Sequence, residues 1–243
     1  MVRFFVDPAE MEKDHITLVG DNAAHAKVLR IKVGEQVTVC DGKGNECICI
    51  VRAASQNGTE LSVEERKVSA TEAKVRASVY VAFPKTDKLE HVIQKATELG
   101  ACEVIAFPSA RCVSKPDEKS LKKKLERWQK IAFSAAEQSG RGCVPDVLVM
   151  PDYRSALERA KQADLAILLY ENEHATTLKM ALESVEYQSV SLISGPEGGL
   201  EPSEVERASG LGIKICTLGS RILRCETAPL CALSAVMYQS GEF

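Results

Sequence analysis

Ser194-Gly195-Pro196-Glu197-Gly198-Gly199 is a glycine-rich stretch that follows an apolar run at residues 189–193. A second unusual stretch, at residues 218–228, follows another apolar run at residues 212–217. Each run is typical of a buried parallel strand, and each stretch leads into a helical pattern. Two such junctions in an α/β chain usually place their loops at one edge of the sheet, outside the carboxyl ends of the strands, where open α/β folds bind ligands. We therefore predict that these two loops form a ligand site.

Residues 73–243 alternate short apolar runs with helical patterns, which is the signature of an α/β fold with a parallel sheet. The predicted strands span residues 76–83, 103–107, 146–150, 165–170, 189–193 and 213–218. The predicted helices span residues 87–99, 117–139, 153–162, 176–184, 203–211 and 227–239. Gly100 is expected to end the first helix, Pro202 to occupy the first position of the fifth, and Thr227 to cap the last.

Residues 1–72 have the pattern of a small β domain. The predicted strands span residues 3–6, 15–19, 36–41, 46–53 and 59–66, with turn signals at 41–45 and 56–58. One short helix is predicted over residues 22–29, with Asp21 as its N-cap. This content favours a small closed barrel, a fold that commonly binds nucleic acid. A polar, aperiodic segment at residues 68–74 marks the boundary, so the predicted domains are 1–72 and 73–243.

Length and composition are those of a globular protein with one large domain or two smaller ones, at 243 residues, 45% hydrophobic and 27% charged. No run approaches the roughly 20 consecutive apolar residues of a membrane span. The N-terminal stretch is too short and too soon interrupted to be a signal peptide. We therefore expect a cytoplasmic protein without membrane association.

The nine cysteines are predicted to be small buried hydrophobic residues. Cys47 and Cys49 share one face of a predicted strand, but no second pair or nearby histidine completes a tetrahedral metal site. A disulfide framework is not expected in a chain of this size without a secretory signal. No metal is therefore expected.

Cationic residues concentrate in and after one long predicted helix, and the run comprises Lys115, Lys119, Lys122, Lys123, Lys124, Arg127, Lys130 and Arg141. A solvated helix face explains such a run, and so does a surface that contacts phosphates; charge alone favours the first. Lys27 and Arg30 lie near the C-terminal end of the short helix, where they either complement the helix dipole or contact RNA phosphates.

The two loops leave several chemical interpretations open. Glycines at 195, 198 and 199 would let a ligand approach the backbone closely, although a tight structural turn explains them equally well. In the second loop, Ile222 and Leu223 are suited to pack on a flat apolar group such as an adenine ring. The alternative for this loop is a helix cap with a salt bridge between Arg224 and Glu226. A dinucleotide site of the Rossmann type is not indicated, because no Gly-x-Gly-x-x-Gly follows the first strand of the α/β part.

Five ordered motifs together resemble the bacterial 16S ribosomal RNA uracil-N3 methyltransferases of the SPOUT class. The motifs are Lys85-Thr86-Asp87-Lys88-Leu89-Glu90, Gln94-Lys95-Ala96-Thr97-Glu98-Leu99-Gly100, Ala136-Glu137-Gln138-Ser139-Gly140-Arg141, Gly195-Pro196-Glu197-Gly198-Gly199 and Leu218-Gly219-Ser220-Arg221-Ile222-Leu223-Arg224-Cys225-Glu226-Thr227-Ala228. The resemblance spans the whole chain, because His25-Ala26-Lys27-Val28-Leu29-Arg30 matches the N-terminal PUA-like barrel of that family. Cys225 is a mild departure, since the family usually has an aromatic or apolar residue there.

The resemblance implies an enzyme that methylates N3 of a uridine in 16S ribosomal RNA of the small ribosomal subunit, with S-adenosylmethionine as cofactor. It also implies a C-terminal domain tied in a deep trefoil knot, a PUA-like barrel that binds RNA, and a homodimer. The residues expected to bind the cofactor are Leu169, Tyr170, Glu171, Gly195, Pro196, Glu197, Gly198, Gly199, Leu218, Gly219, Ser220, Ile222, Leu223, Thr227 and Ala228.

Uracil N3 carries a proton, so its methylation calls for a base or for a cation that stabilises the anion. Glu197 and Glu226 are the candidate bases, and each could instead orient a neighbouring arginine. Arg221 and Arg224 are the candidate stabilising cations, with Arg141, from the same or the other subunit, as a third. The residues expected to contact RNA are Arg3, Lys27, Arg30, Lys122, Lys123 and Arg141. Two other functions remain open: an RNA-binding assembly factor without enzymatic activity, and a SPOUT enzyme that modifies transfer RNA or another base.

Overall fold

The computed structural model describes residues 2–55, 58–85, 87–113, 116 and 118–243, apart from the side chain of Glu118. Several predicted features lie outside the described residues: positions 56 and 57 of the turn predicted at 56–58, Thr86 of the first motif, Lys115 of the basic run and the predicted helix start at Asp117. The chain divides into two compact units. The first contains the described residues up to Glu72 together with Ala136–Val144, and the second contains Ala73–Ala135 and Pro145–Phe243.

The first unit is built on one curled sheet. Its strands are β1 (Arg3–Phe5), β2 (His15–Leu18), β3 (Gln36–Cys40), β4 (Asn45–Ala54) and β5 (Thr59–Val68), in the order β1-β3-β4-β5-β2. Only β1 and β3 pair in parallel, and the other pairs are antiparallel. Two register shifts between β4 and β5 bend the sheet around a core that contains Phe4, Ile16 and Leu61.

The predicted closed barrel is a half-barrel. Within the described residues, β1 and β2 are the two edges of the sheet and do not pair with each other. Closure depends on long-range pairing, which the strand pattern alone does not specify.

Two helices belong to this sheet, α1 (Pro8–Met11) and α2 (Gly20–Val28). Helix α1 is not predicted from the sequence, although Pro8 stands at its first position and the Asp7 side chain accepts a hydrogen bond from the backbone N–H of Ala9. The predicted N-cap of α2 is wrong. The helix begins at Gly20, so Asp21 lies inside its first turn and Val19 is the capping residue without a side-chain hydrogen bond.

The second unit is an α/β structure with a six-stranded parallel sheet, as predicted. Its strands are β6 (Arg76–Ala82), β7 (Glu103–Phe107), β8 (Asp146–Val149), β9 (Leu165–Leu169), β10 (Ser189–Ser194) and β11 (Lys214–Cys216), in the order β11-β9-β10-β6-β7-β8. Its helices are α3 (Lys88–Glu98), α4 (Glu118–Ser139), α5 (Tyr153–Ala160), α6 (Leu178–Leu182), α7 (Pro202–Gly210) and α8 (Thr227–Gln239). The residues of α4 from Ala136 onward group with the first unit.

Differences from the predicted elements concentrate at the ends of the last strand and the last helix. β11 covers three residues because Thr217 leaves the ladder with β9 and bridges to Thr177 instead. Thr227 is the first residue of α8, not its cap, and Glu226 precedes it without a side-chain capping bond. Pro202 at the first position of α7 is confirmed.

The predicted meeting of loops at one sheet edge is confirmed. Strand β9 lies between β10 and β11, and Leu169 is opposite both Ser194 and Cys216. The carboxyl ends of the three strands are therefore level, and the loops that follow them leave the sheet side by side.

The cysteine prediction is only partly right. Cys40, Cys47, Cys49 and Cys216 are buried, but Cys231 is exposed on α8. Among the described residues, no group of three or more His, Cys, Asp or Glu side chains is arranged to hold a metal ion. Within the same residues, no helix is long and apolar enough to cross a membrane.

Candidate active site

The three loops at this sheet edge enclose a cavity of about 500 Å³. This volume is within the range of small-molecule binding sites. The lining residues are Lys88, Leu169, Tyr170, Glu171, His174, residues 194–200, residues 217–225 and Ala228. The cavity thus lies at the carboxyl ends of β9, β10 and β11, where a parallel sheet presents its ligands.

The residues predicted to bind the cofactor all line this cavity except Thr227, which is exposed at the start of α8. Of the predicted catalytic residues, Arg221, Arg224 and Glu197 line the cavity as well, whereas Glu226 does not. The structure thus brings together three segments, residues 169–171, 195–199 and 218–224, that are separated by 18 residues or more in the sequence.

The first loop contributes three glycines, at 195, 198 and 199, to the cavity wall. A Cβ atom added to Gly195 would lie 3.0 Å from Cγ of Leu200, which is buried. Gly199 has a φ of +70°, and a Cβ atom there would overlap the carboxylate of Glu171. Glycine therefore avoids a tight contact at 195 and a strained backbone at 199, and a ligand can approach the peptide groups closely.

Lys88 lies in the motif Lys85–Glu90 but is not among the site residues predicted from the sequence. Its Nζ atom lies 3.0 Å from Oε1 of Glu197 and 3.2 Å from Oε2 of Glu226. The backbone N–H of Lys85 also donates a hydrogen bond of 3.0 Å to Glu197. The start of α3 is thus bonded to both loops, and Lys88 is the bridge between the two predicted bases.

These contacts keep both carboxylates ionised. Burial alone would raise the pKa of Glu197, but the hydrogen bond from Lys88 and those from backbone N–H groups lower it below its usual value. The pKa of Glu226 is lowered in the same way, by its own backbone N–H, by Cys225 and by Lys88, against the opposing effect of burial. The hydrogen bond to Glu197 raises the pKa of Lys88. The cluster therefore holds two anions and one cation at neutral pH.

The alternative interpretation of this loop, a salt bridge between Arg224 and Glu226, is not found among the described residues, and Glu226 binds Lys88 instead. A carboxylate with a lowered pKa is also a weak proton acceptor. Burial raises the pKa of the adjacent Cys225 thiol to about 12, so this group stays protonated and donates to Glu226 over 3.2 Å. The geometry therefore favours a structural role for both glutamates over the role of a base.

Two arginines remain available at the rim of the cavity. Arg221 and Arg224 are exposed, and neither guanidinium forms an ion pair with another described residue. Between them, Ile222 exposes 84% of its surface. This segment offers positive charge and an apolar contact to a ligand at the cavity mouth.

The residues predicted to contact RNA fall into two groups. Lys27, Arg30, Lys122 and Lys123 are exposed. Arg3 and Arg141 are instead paired inside the first unit: Arg3 donates over 2.8 Å to Glu46, and Arg141, only 5% exposed, donates over 2.6 Å to Glu72. Contact with RNA stays a prediction for all six residues.

Glu72→Gln is expected to lower the free energy of unfolding by about 1–2 kcal/mol, because the buried Arg141 loses its counter-charge while hydrogen bonding is partly kept. Glu72 also accepts hydrogen bonds from the backbone N–H groups of Gly142 and Cys143. Chemical denaturation measures the change. Glu65→Gln, at an exposed position in β5, is the control that should show no loss. Equal stability of the two variants would contradict a structural role for Arg141.

A model of the RNA methyltransferase domain matches residues 71–237 of the chain, and a model of the RNA methyltransferase PUA domain matches residues 18–64. The cavity residues all lie within the first of these ranges. The chain belongs to the RNA methyltransferase family that these models describe, in the group of the ribosomal RNA small subunit methyltransferases E.

Among its relatives is the ribosomal RNA small subunit methyltransferase E of Bacillus subtilis, which is 37% identical over 99% of this chain and 97% of its own length. The enzyme of the same name from Mycobacterium bovis is 34% identical over 96% of this chain and 90% of its own. A crystal structure of the Neisseria gonorrhoeae enzyme bound to S-adenosyl methionine superposes with a TM-score of 0.85, at 29% identity over 98% of both chains. These findings confirm the predicted family and fold class; the trefoil knot stays a prediction.

Proposed function

We propose that this chain methylates N3 of a uridine in 16S ribosomal RNA, with S-adenosylmethionine as the methyl donor. The observation that carries the proposal is the cavity at the ends of β9, β10 and β11. It has a glycine backbone on one wall and, at its mouth, two arginines that form no ion pair with any described residue. Family membership supports the RNA substrate, and the ligand of the Neisseria gonorrhoeae relative supports the donor.

The cavity suits an adenosine-like molecule with a charged tail. Its apolar lining includes Leu169, Leu218 and Leu223, which suit an adenine ring, and peptide groups near Gly195 and Gly199 suit its polar edges. When bound, S-adenosylmethionine supplies an electrophilic methyl group. The protein then has to hold donor and acceptor in line, and alignment of this kind accounts for much of the rate enhancement in such a reaction.

The acceptor nitrogen determines what else the residues must do. Uracil N3 becomes a good nucleophile only after its proton leaves, and the resulting anion spreads charge onto the carbonyl oxygens. We infer that Arg221 and Arg224 stabilise this anion, since both line the cavity and neither is neutralised by a described residue. Because N3 lies on the pairing edge, the target uridine must be unpaired or flipped out of its helix.

The remaining parts follow from the same proposal. Residues 1–72 would form the RNA-binding domain, and Ala136–Val144 belong to the same compact unit. Residues 73–243 would form the knotted domain that carries out the methyl transfer. A homodimer is supported by the exposed apolar groups of the second unit, which include Tyr238 and Phe243. Bacterial ribosomal RNA lies in the cytoplasm, which is therefore the proposed location.

Calorimetric titration with S-adenosylmethionine is the first test, and we expect binding in the micromolar range or tighter. The second test compares 16S RNA from a strain with and without the gene by primer extension, since N3 methylation blocks pairing and stops reverse transcriptase. Absence of cofactor binding would favour an assembly factor without enzymatic activity. A stop that persists in the deletion strain would move the substrate to another base or another RNA.

The pH dependence of methyl transfer should separate the arginines from the glutamates. Because both carboxylates have a pKa below the usual 4.5, their bonds to Lys88 persist above that pH and are lost as the pH falls through the lowered values. Cofactor affinity should therefore be independent of pH down to about 4.5. The rate should rise with pH in the alkaline range, where N3 ionises more readily. A rate that is flat above pH 5 would instead indicate one of the glutamates as the base.

A further inference from the structure

The loop that follows β7 lies outside the cavity lining, yet it is bonded to a loop that forms the cavity wall. The two are called the β7 loop, residues 108–113, and the glycine loop, residues 195–199. The β7 loop contains a closed turn, in which Cys112 N–H donates to the carbonyl of Ser109 and Ser109 N–H donates to the Cys112 thiol. Ser109 is only 3% exposed. The β7 loop is therefore a firm support beside the cavity.

Glu204 joins the β7 loop to the start of helix α7. Its Oε2 atom accepts a hydrogen bond of 2.9 Å from the backbone N–H of Glu201, which is an ordinary bond at a helix start. Its Oε1 atom accepts a second bond of 2.9 Å, from the backbone N–H of Ala110 in the β7 loop. The hydroxyl of Tyr153, buried on α5, donates to the backbone carbonyl of Glu204. Helix capping needs only the first of these bonds, so the others serve to fix α7 against its neighbours.

Arg111 contacts the glycine loop itself. Its Nη1 atom donates a hydrogen bond of 3.0 Å to the carbonyl of Gly198, which lines the cavity. A Cβ atom added to Gly198 would lie 3.1 Å from Cβ of Arg111, so the backbone there packs directly on the arginine. The nearest carboxylate, that of Glu201, is 3.9 Å from Nε of Arg111. The bond to Gly198 is therefore the closest polar contact of this guanidinium among the described residues.

A glycine-rich loop gains the most from such support. Glycine loses more conformational freedom on ordering than any other residue, so a free loop of this composition would be costly to fix. If the loop became ordered only when a ligand bound, that cost would be subtracted from the affinity. Within the loop, Gly199 N–H donates to the carbonyl of Pro196, and the bonds of Arg111 and Glu204 hold the turn from outside. These contacts do not depend on a ligand, so they order the loop in advance.

We propose that Arg111 and Glu204 are positioning residues for the methyl donor, which they hold indirectly through the glycine loop. Arg111 fixes the carbonyl of Gly198, and Glu204 fixes the helix that follows the loop. Neither residue lines the cavity, so both act on the donor only through the backbone between them. The inference rests on the proposed function, because that function supplies the donor.

Arg111→Met tests the direct contact, because it removes the bond to Gly198 and keeps much of the apolar stem. The dissociation constant for S-adenosylmethionine, measured by calorimetry, should rise about threefold to tenfold, as expected for the loss of one hydrogen bond. Arg111 is exposed, so the thermal midpoint should change little. In the unliganded variant, the backbone amides of the glycine loop should exchange hydrogen faster than in the wild type.

Two further substitutions at arginine positions serve as controls for Arg111→Met. Arg111→Lys can still donate to the carbonyl of Gly198 and should restore most of the affinity. Arg154→Met removes an exposed arginine of α5 that lies outside the cavity lining. It should bind the donor as the wild type does, because it leaves the glycine loop untouched.

Glu204→Gln tests the second contact. The amide keeps one acceptor oxygen, so one of the two backbone N–H groups loses its partner. Partial unfolding would lower the amount of active enzyme, and so the apparent kcat, without changing the KM for the donor. Loss of positioning should instead raise that KM, by about tenfold with RNA saturating and kcat kept. Glu206→Gln, at an exposed position of the same helix, is the control that should leave both constants unchanged.

Wild-type affinity for S-adenosylmethionine and wild-type hydrogen exchange in both variants would overturn the inference. A higher KM for RNA with unchanged affinity for the donor would overturn it too, and would place Arg111 at the RNA. If the wild type binds the donor and the variants bind it equally well, the proposed function stands and only this inference is lost. Failure of the wild type to bind the donor would remove both.

Discussion

Lys88→Met is expected to reduce the affinity for S-adenosylmethionine and the rate of methyl transfer by about ten- to hundredfold. The ammonium group of Lys88 connects the loop that carries Glu197 with the loop that carries Glu226, over 3.0 and 3.2 Å. Without it the two carboxylates repel each other, and the walls of the cavity lose their common anchor on α3. Removing one partner of a buried ion pair destabilises a protein by about 3–5 kcal/mol. Because 26% of the Lys88 side chain is exposed to solvent, we expect a smaller loss of about 1–3 kcal/mol.

The matched control is Lys95→Met on the same helix. Lys95 forms an ion pair only three residues along, with Glu98, and lies outside the cavity lining, so its loss should leave cofactor affinity unchanged. Lys88→Arg keeps the charge and should restore most of the affinity. Calorimetry measures binding, and single-turnover transfer measures the chemical step.

Glu226→Gln tests the role of the carboxylate directly. If Lys88 acts by holding the loops, this variant should lose cofactor affinity and keep the pH profile of the rate. A variant of Lys88 that binds the cofactor normally but loses the rate at every pH would contradict the positioning role and place the ammonium group at the substrate.

The parts of the fold that follow from local patterns were predictable. The apolar faces of α3 and the runs of β9 and β10 are strictly periodic or continuous, so their type and order followed from the sequence. The site loops were predictable for the same reason, since each follows a buried strand. Closure of the first sheet was not, because the strand pattern is identical whether β1 and β2 pair or remain edges.

Contacts between distant segments account for the errors at the site. Lys88 lines the cavity because it follows β6, and β6 lies beside β10 in the sheet, with Tyr80 opposite Ile193. Hydrophobic periodicity predicts the strands but not their order in the sheet. Knowledge of that order would have placed Lys88 at the site. Arg141 shows the same limit: as one basic residue among several it is typical of a surface, but in the structure it is buried and paired with Glu72, 69 residues away.

Gly195→Val is expected to weaken cofactor binding by about ten- to hundredfold, the equivalent of the roughly 1–3 kcal/mol that overpacking costs. A Cβ atom at this position already lies 3.0 Å from Cγ of Leu200 and 3.3 Å from the carbonyl carbon of Gly199. Because Leu200 is buried and Gly199 is backbone, neither can move cheaply. The two methyl groups of valine must therefore occupy the cavity or displace the loop that forms its wall.

Graded substitutions keep this prediction falsifiable even if the valine variant folds poorly. Gly195→Ala adds only the Cβ atom and should cause a smaller loss, because a shift of a few tenths of an ångström relieves its contact with Leu200. Gly210→Val is the control, since a Cβ atom there meets nothing within 4 Å. Calorimetric titration of all three variants, with thermal unfolding to check the fold, measures the effect. Wild-type affinity in folded Gly195→Val would show that this loop is a tight structural turn and not a wall of the cofactor site, which would remove the backbone role on which the proposed site depends.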